Sequence, residues 1–148
     1  MGDDEVTLAF VCVQNAGRSR MATAFARREL DNRNLGHRVE IVTGGTKPAD
    51  SIHEEVVEVM REDGIDLSDH TPREITFDEL QEADIVITMG CSAEDVCPAT
   101  WSGDSRDWDL DDPHGRPLDN VREIRDEIRD RVNDLFAELV AGQSVEPR

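Results

Sequence analysis

Leu8-Ala9-Phe10-Val11-Cys12-Val13-Gln14-Asn15-Ala16-Gly17-Arg18-Ser19 is the stretch that decides the fold. Its first half is a short apolar run, the pattern of a strand buried in a parallel sheet, and Val6 to Val13 reads as that strand. After it, from Ser19 to Asn32, the apolar residues Ala22, Phe25, Ala26 and Leu30 fall on one face of a helix. A loop between a strand and a helix N-terminus presents backbone N–H groups and a positive dipole end to an anion. The same field stabilises a thiolate. Arg18 adds a planar fork that suits tetrahedral oxyanions. A cysteine, five residues and an arginine in this setting predict a nucleophile aimed at the central atom of a bound phosphate or arsenate. The competing reading is a buried structural cysteine. The flanking strand and helix, Gly17 for a tight backbone and Ser19 beside the arginine weigh against it.

Outward from this stretch, strands and helices alternate. Val39-Glu40-Ile41-Val42 reads as a second strand, ended by Thr43-Gly44-Gly45. Ser51-x-x-Glu54 has the form of a capping box opening a helix with the face Ile52, Val56, Val59 and Met60, closed by Gly64. Thr76-x-x-Glu79 is a second capping box, starting a short helix to Ala83. Ile85 to Met89 is a third buried strand. Residues 90–119 read as irregular, with a short strand near Trp108 to Leu110. The last helix is expected from Asn120 to Val140, with the face Val121, Ile124, Ile128, Val132, Leu135, Phe136 and Leu139. This alternation predicts an α/β fold: a three-layer, doubly wound, four-stranded parallel sheet with helices on both faces. Ligands in such sheets bind beyond the carboxyl ends of the strands. Cys12 ends strand one, and Gly90-Cys91 follow strand three.

The chain has 148 residues, the size of one domain, with boundaries expected at 1–148. Its formal net charge is −18. That excludes nonspecific nucleic-acid and anionic-membrane binding as working hypotheses. No apolar run is long enough for a membrane span, and the acidic N-terminus does not read as a targeting segment, so a cytoplasmic location and a monomer are expected. Lys47 is the single lysine among 16 basic residues, against 34 acidic ones. With a well-patterned core, this composition reads as adaptation to a very salty cytosol that screens self-repulsion. Cys12, Cys91 and Cys97 form an odd set without zinc-site spacing, which points to redox or nucleophilic use. No metal or cofactor is expected. His53, His70 and His114 read as surface or capping residues, and His37 as a loop residue.

Cys12 to Ser19, with Asn15 in place, closely resembles the active-site loop shared by low-molecular-weight protein tyrosine phosphatases and thioredoxin-coupled arsenate reductases. Thr43 to Pro48, the Met60 to Ser68 stretch and Asp112-Pro113 are similar to further family segments in order and spacing. The phosphatase branch typically has tyrosines near the aspartate-proline pair; this chain has none, and Trp108 is the candidate substitute wall. The reductase branch has two further cysteines after strand three, where Cys91 and Cys97 stand. The segment Trp108 to Pro113 also looks like the reductases. Two departures stand out. Gly17 occupies a position that is often cysteine, and Thr23 one that is often glutamate and helps a bound potassium ion in some reductases.

The resemblance implies a set of roles. Val13, Gln14, Asn15, Ala16, Gly17 and Arg18 would bind the oxyanion. Cys12 would be the nucleophile, Ser19 the donor to its thiolate, and Asp112 the general acid. Cys91 and Cys97 would carry a disulfide cascade drained by a thioredoxin-like dithiol. If residues 91–97 were helical, the two cysteines would differ by about 9 Å of rise and about 240° of rotation. A disulfide needs Cα atoms within about 7 Å, so residues 90–105 are expected to be irregular or to reshape between redox states. The expected activity is arsenate reduction. The alternatives are a phosphatase acting through a cysteinyl-phosphate, and a non-catalytic redox or oxyanion-sensing module.

Overall fold

The computed structural model describes residues 6–36, 38–90 and 104–145. His37, Cys91 and Cys97 lie outside the described residues, as does most of the segment expected to reshape. Four strands, β1 (Val6–Cys12), β2 (Val39–Gly45), β3 (Ile85–Met89) and β4 (Asp104–Asp107), form one sheet in the order β2-β1-β3-β4. All neighbours are parallel. The helices are α1 (Arg18–Asn32), α2 (Glu54–Glu62), α3 (Phe77–Glu82) and α4 (Leu118–Val145).

The pleat of β1 assigns its side chains to two cores. Leu8, Phe10 and Cys12 join the larger one with Met21, Phe25, Met60, Ile128 and Phe136, from α1, α2 and α4. Ala9 and Val11 face the other way, against Leu80 and Ala83 beside α3. The sheet is thus covered on both faces, as a buried parallel sheet requires. Register then sets the site. Cys12 is level with Gly45 on one side and Met89 on the other. The chain therefore leaves the sheet at the same height in all three strands, at the point where β1 has neighbours reached by crossovers in opposite directions.

Several elements differ from the sequence expectation. β1 ends at Cys12, because Val13 already turns into the loop, and β2 runs on through its glycines to Gly45. The fourth strand lies at Asp104–Asp107 and not at Trp108 to Leu110. Its polar residues suit an exposed edge, where Arg106 bridges Asp104 and Glu138. Trp108 and Leu110 instead turn into the core just past the strand, Trp108 beside Phe10 with ring centroids 6.1 Å apart. Ser51 caps nothing: α2 begins at Glu54 after an extended His53 whose side chain makes no cap bond. The cause is the His53 N–H, which donates to Ala16 O and ties the chain to the oxyanion loop before the helix can start. The Thr76–Glu79 capping box is present with both of its bonds. Gly64, at φ +81°, closes α2 with the Gly64 N–H on Arg61 O and the Ile65 N–H on Met60 O. α4 starts earlier and runs longer than expected. No helix among the described residues is long and apolar enough to cross a membrane.

Candidate active site

The loop after β1 is held from outside by its carbonyls. Thr46, Lys47, Ala49 and His53 donate their N–H groups to the carbonyls of Cys12, Val13, Gln14 and Ala16, at 2.8–3.2 Å. With the carbonyls turned outward, the amide edge of the loop is left for a ligand. Gly45 makes this possible. A Cβ there would stand 2.4 Å from Val13 O and 3.0 Å from Asn15 N. The loop thus depends on a glycine some thirty positions away, delivered by sheet register.

Inside the loop, Asn15 is the organiser. It is fully buried and adopts a left-handed backbone with φ +53°. Asparagine tolerates that region better than most residues. Its Nδ2 donates to Ser19 Oγ at 2.7 Å and to Thr43 Oγ1 at 3.0 Å. Its Oδ1 accepts from Arg20 Nε at 3.1 Å and from the Arg73 N–H at 3.0 Å. All hydrogen-bonding capacity of the amide is used, which fixes its orientation. Direction then propagates. Ser19 Oγ accepts from Asn15, so its own proton is available to Cys12 Sγ, 2.9 Å away. The Asn15 N–H also donates to that sulfur, at 3.2 Å. Cys12 is 3% exposed and meets two donors.

Arg18 closes the opposite wall. Its Nη1 donates to Leu110 O at 2.9 Å, and its Nη2 stands 4.0 Å from Asp112 Oδ2. Gly90, at φ +86°, lets the guanidinium lie across the chain: a Cβ there would meet both terminal nitrogens at 2.8 Å. A cavity of about 270 Å³ results, lined by Cys12, Val13, Gln14, Gly17, Arg18, His53, Gly90 and Asp112. That is slightly below the usual range for small-molecule pockets, about 300–1,000 Å³.

Asp112 sits on a separate, more open loop. Its side chain is 57% exposed. Pro113 packs over Gly17, where a Cβ would be 3.0 Å from Pro113 Cγ, so a cysteine at 17 would crowd this contact. The loop is fastened by the His114 ring, stacked on His53 with centroids 4.1 Å apart, and by the Gly115 N–H donating to Glu55 Oε2 at 2.6 Å. His53 Nε2 meets Gln14 Oε1 at 3.0 Å, so one imidazole touches both loops. Burial first, and then His114, push the His53 imidazole below its ordinary value, against the pull of Glu55 and Asp112. For Glu55, burial would raise the carboxyl; the Glu55 and Gly115 backbone N–H groups and the two imidazoles outweigh it and bring the carboxyl down.

Cys12, Arg18 and Asp112, all named from sequence, line one cavity, and Ser19, also named, stands behind it against the Cys12 sulfur. Asn15 and Ala16, like Ser19, are fully buried and outside its lining, and Asn15 supports the loop from behind. Trp108 does not line the cavity, whose described wall carries no ring except the His53 imidazole. Sequence reading missed His53 as a wall residue, together with Thr43, Gly45, Arg20 and Arg73 as supports. The Gly44-Gly45 pair at a strand end was the one available signal. Asn15 and Thr23 do not present a ready potassium site. Asn15 Oδ1 is already taken by two N–H donors, and Thr23 offers a hydroxyl that donates to Ser19 O at 2.7 Å.

A cysteine and an arginine spanning a strand-to-helix oxyanion loop, with an aspartate-proline loop closing over it, define a phosphatase-type site. Residues 7–145 match the low molecular weight phosphotyrosine protein phosphatase family, and the chain belongs to it. A Halobacterium salinarum protein named "Putative arsenate reductase" is 60% identical over 137 residues, covering 93% of this chain and 95% of that protein. A thioredoxin-dependent arsenate reductase of Corynebacterium glutamicum is a structural neighbour, with a TM-score of 0.74 and 34% identity. The match covers 96% of this chain, which spans 65% of that one. A structure described as an arsenate reductase in the phosphate binding state has a TM-score of 0.73 and 27% identity, covering 90% of this chain and 98% of that one.

Proposed function

We propose that this protein reduces arsenate to arsenite, with Cys12 as nucleophile and Cys91 and Cys97 as the source of the two electrons. Arsenate enters the loop against its N–H groups and Arg18. The Cys12 thiolate, facing the Ser19 hydroxyl and the Asn15 N–H, attacks arsenic(V). Asp112 protonates the departing oxygen, which leaves as water. The Cys91 thiolate then attacks Cys12 Sγ. The S–As bond breaks, arsenic keeps the electron pair and leaves as arsenite, and a Cys12–Cys91 disulfide forms. Cys97 attacks Cys91, giving Cys91–Cys97 and freeing Cys12 as thiolate. A thioredoxin-like dithiol reduces that last bond. In this reading the protein acts in the cytoplasm as a monomer, with its thiols kept reduced.

The observation that carries this reading is Gly90. It lines the cavity of Cys12 and packs on Arg18, and its own peptide bond leads to Cys91. The lack of an aromatic wall among the described lining residues favours a bare oxyanion over an aryl phosphate. The named arsenate reductases among the relatives support the same choice. A phosphatase reading shares the first step, because loop, Arg18 and Asp112 serve phosphate equally. A purely sensing module has no use for an acid 4.0 Å from the arginine.

The test is NADPH oxidation with arsenate, thioredoxin and thioredoxin reductase. Cys12→Ser, Cys91→Ser and Cys97→Ser are each expected to abolish turnover. Full turnover in both Cys91→Ser and Cys97→Ser would overturn the reductase reading.

A further inference from the structure

Arg20 is a buried charge to which the chemistry above assigns no task. It lies two residues after Arg18 in the first turn of α1 and is 9% exposed. Its guanidinium reaches behind the oxyanion loop, donating from Nε to Asn15 Oδ1 and from Nη2 to Thr71 O. A buried charge ordinarily has an opposite charge beside it. Here the charged neighbours are Arg27 on the same helix and Arg73 on the segment before α3, both cations that act with burial against the guanidinium. The group that favours its charge is Cys12. Geometry links it to the nucleophile: Arg20 Nε donates to Asn15 Oδ1, Asn15 Nδ2 donates to Ser19 Oγ, and Ser19 Oγ stands 2.9 Å from Cys12 Sγ.

We propose that Arg20 is the positioning residue of the nucleophile: it clamps Asn15 so that Ser19 is aimed at Cys12 Sγ, and it supplies the thiolate's countercharge from behind the loop. Arg18 is then left to the substrate, and the first turn of α1 carries two arginines with separate tasks. The inference rests on the reading of Cys12 as the nucleophile, but not on which oxyanion it attacks.

The test is alkylation of Cys12 by iodoacetamide across pH, in a Cys91→Ser/Cys97→Ser background that leaves one thiol. Arg18, His53 and Asp112, the other charged or titratable groups around the sulfur, are kept in every variant. Arg20→Met removes the charge and both hydrogen bonds. Arg20→Gln keeps a donor for Asn15 without the charge, and Arg20→Lys keeps the charge. On the acidic limb of the profile, alkylation is expected to slow about tenfold in Arg20→Met, the whole profile moving about one unit to higher pH. Arg20→Lys should recover most of the rate, and Arg20→Gln only part of it. A merely structural Arg20 would lower the melting temperature and leave the profile in place. Should Arg20→Met fail to fold, Arg20→Lys and Arg20→Gln decide, and profiles superimposable on that of the Arg20 protein in both would overturn the proposal. Failure of arsenate turnover in the wild type would leave this comparison intact, so the two readings fall separately.

Discussion

The two loops that face each other across the cavity are built in opposite ways. The oxyanion loop is tied by four backbone hydrogen bonds from residues 46–53 and by a saturated, fully buried Asn15. The acid loop carries an Asp112 that is 57% exposed, and it is held by a ring stack, one N–H donated to Glu55 and a proline against Gly17. The difference suits the tasks proposed for them. Charge stabilisation works through dipoles that need not reorganise. A general acid must let substrate in and water out, which a loosely fastened loop permits. The site therefore has a preorganised half and an adjustable half, joined by His53.

The largest effects are expected from one added methyl group at each of two places, against the backbone of the oxyanion loop and against the Arg18 side chain that reaches toward Asp112. In Gly45→Ala the new Cβ would lie 2.4 Å from Val13 O, a backbone atom inside a bonded loop. Overpacking of this kind costs about 1–3 kcal/mol or more, and thermal unfolding should show it together with loss of activity. Gly90→Ala meets the mobile end of Arg18 instead, at 2.8 Å and φ +86°. Here the melting temperature should fall less, while kcat/KM falls on the order of a hundredfold, because Arg18 loses its place. Equal thermal losses in the two variants would mean that the loop backbone is no more tightly set than the Arg18 side chain.

Weaker effects sharpen the joint between the halves. The fold holds the His53 imidazole below its ordinary value of 6.5. The neutral ring is the form the fold prefers, so its stability is complete above pH 6.5. That stability is lost as pH falls through the lower folded value. Melting temperatures compared between about pH 7.5 and about pH 5.5 should therefore drop more in the wild type than in His53→Gln. The Glu55 carboxyl is also held low, so its own contribution is lost only at more acidic pH, below the ordinary 4.5. Identical pH dependence in variant and wild type would mean that the stack does not join the loops.

Salt should separate the halves with the smallest local effect. The bonds of the oxyanion loop are buried, whereas Arg18–Asp112 and His114–Glu55 are long pairs, each with one exposed partner. Between dilute buffer and molar KCl, amide exchange across 12–19 should stay constant relative to global unfolding, while exchange across 112–116 changes. The same titration should raise the melting temperature of the whole protein, since a net charge of −18 repels itself until it is screened. The high-salt setting has support in the 60% identical Halobacterium salinarum relative. A melting temperature indifferent to KCl would remove that setting.

The parts legible in the sequence are those set by local pattern. β1, the loop and α1 are contiguous, and their apolar run, glycine and helical face sit within one window. The Thr76–Glu79 box is likewise complete within four residues. What escaped is set by register between distant segments. Nothing near Gly45 announces that Val13 O will lie against it, and nothing near Leu110 announces Arg18. Ser51 had the residue type of a cap, but the bond from the His53 N–H to Ala16 O, 37 positions back, overrode it. Trp108 to Leu110 had the alternation of a strand and became core instead, because the ladder with β3 uses the polar residues before it. His53 gave no signal at all, since its role depends on a ring from position 114.

The central claim is that the loop opens a thiol cascade and not a hydrolysis. It is tested most directly in Cys97→Ser, which should stall after the first disulfide. The fully reduced variant is mixed with stoichiometric arsenate, alkylated, digested and mapped by mass spectrometry. The account predicts one Cys12–Cys91 disulfide and one arsenite per chain. Free thiols at both Cys12 and Cys91, in a protein that still hydrolyses phosphate esters, would contradict it.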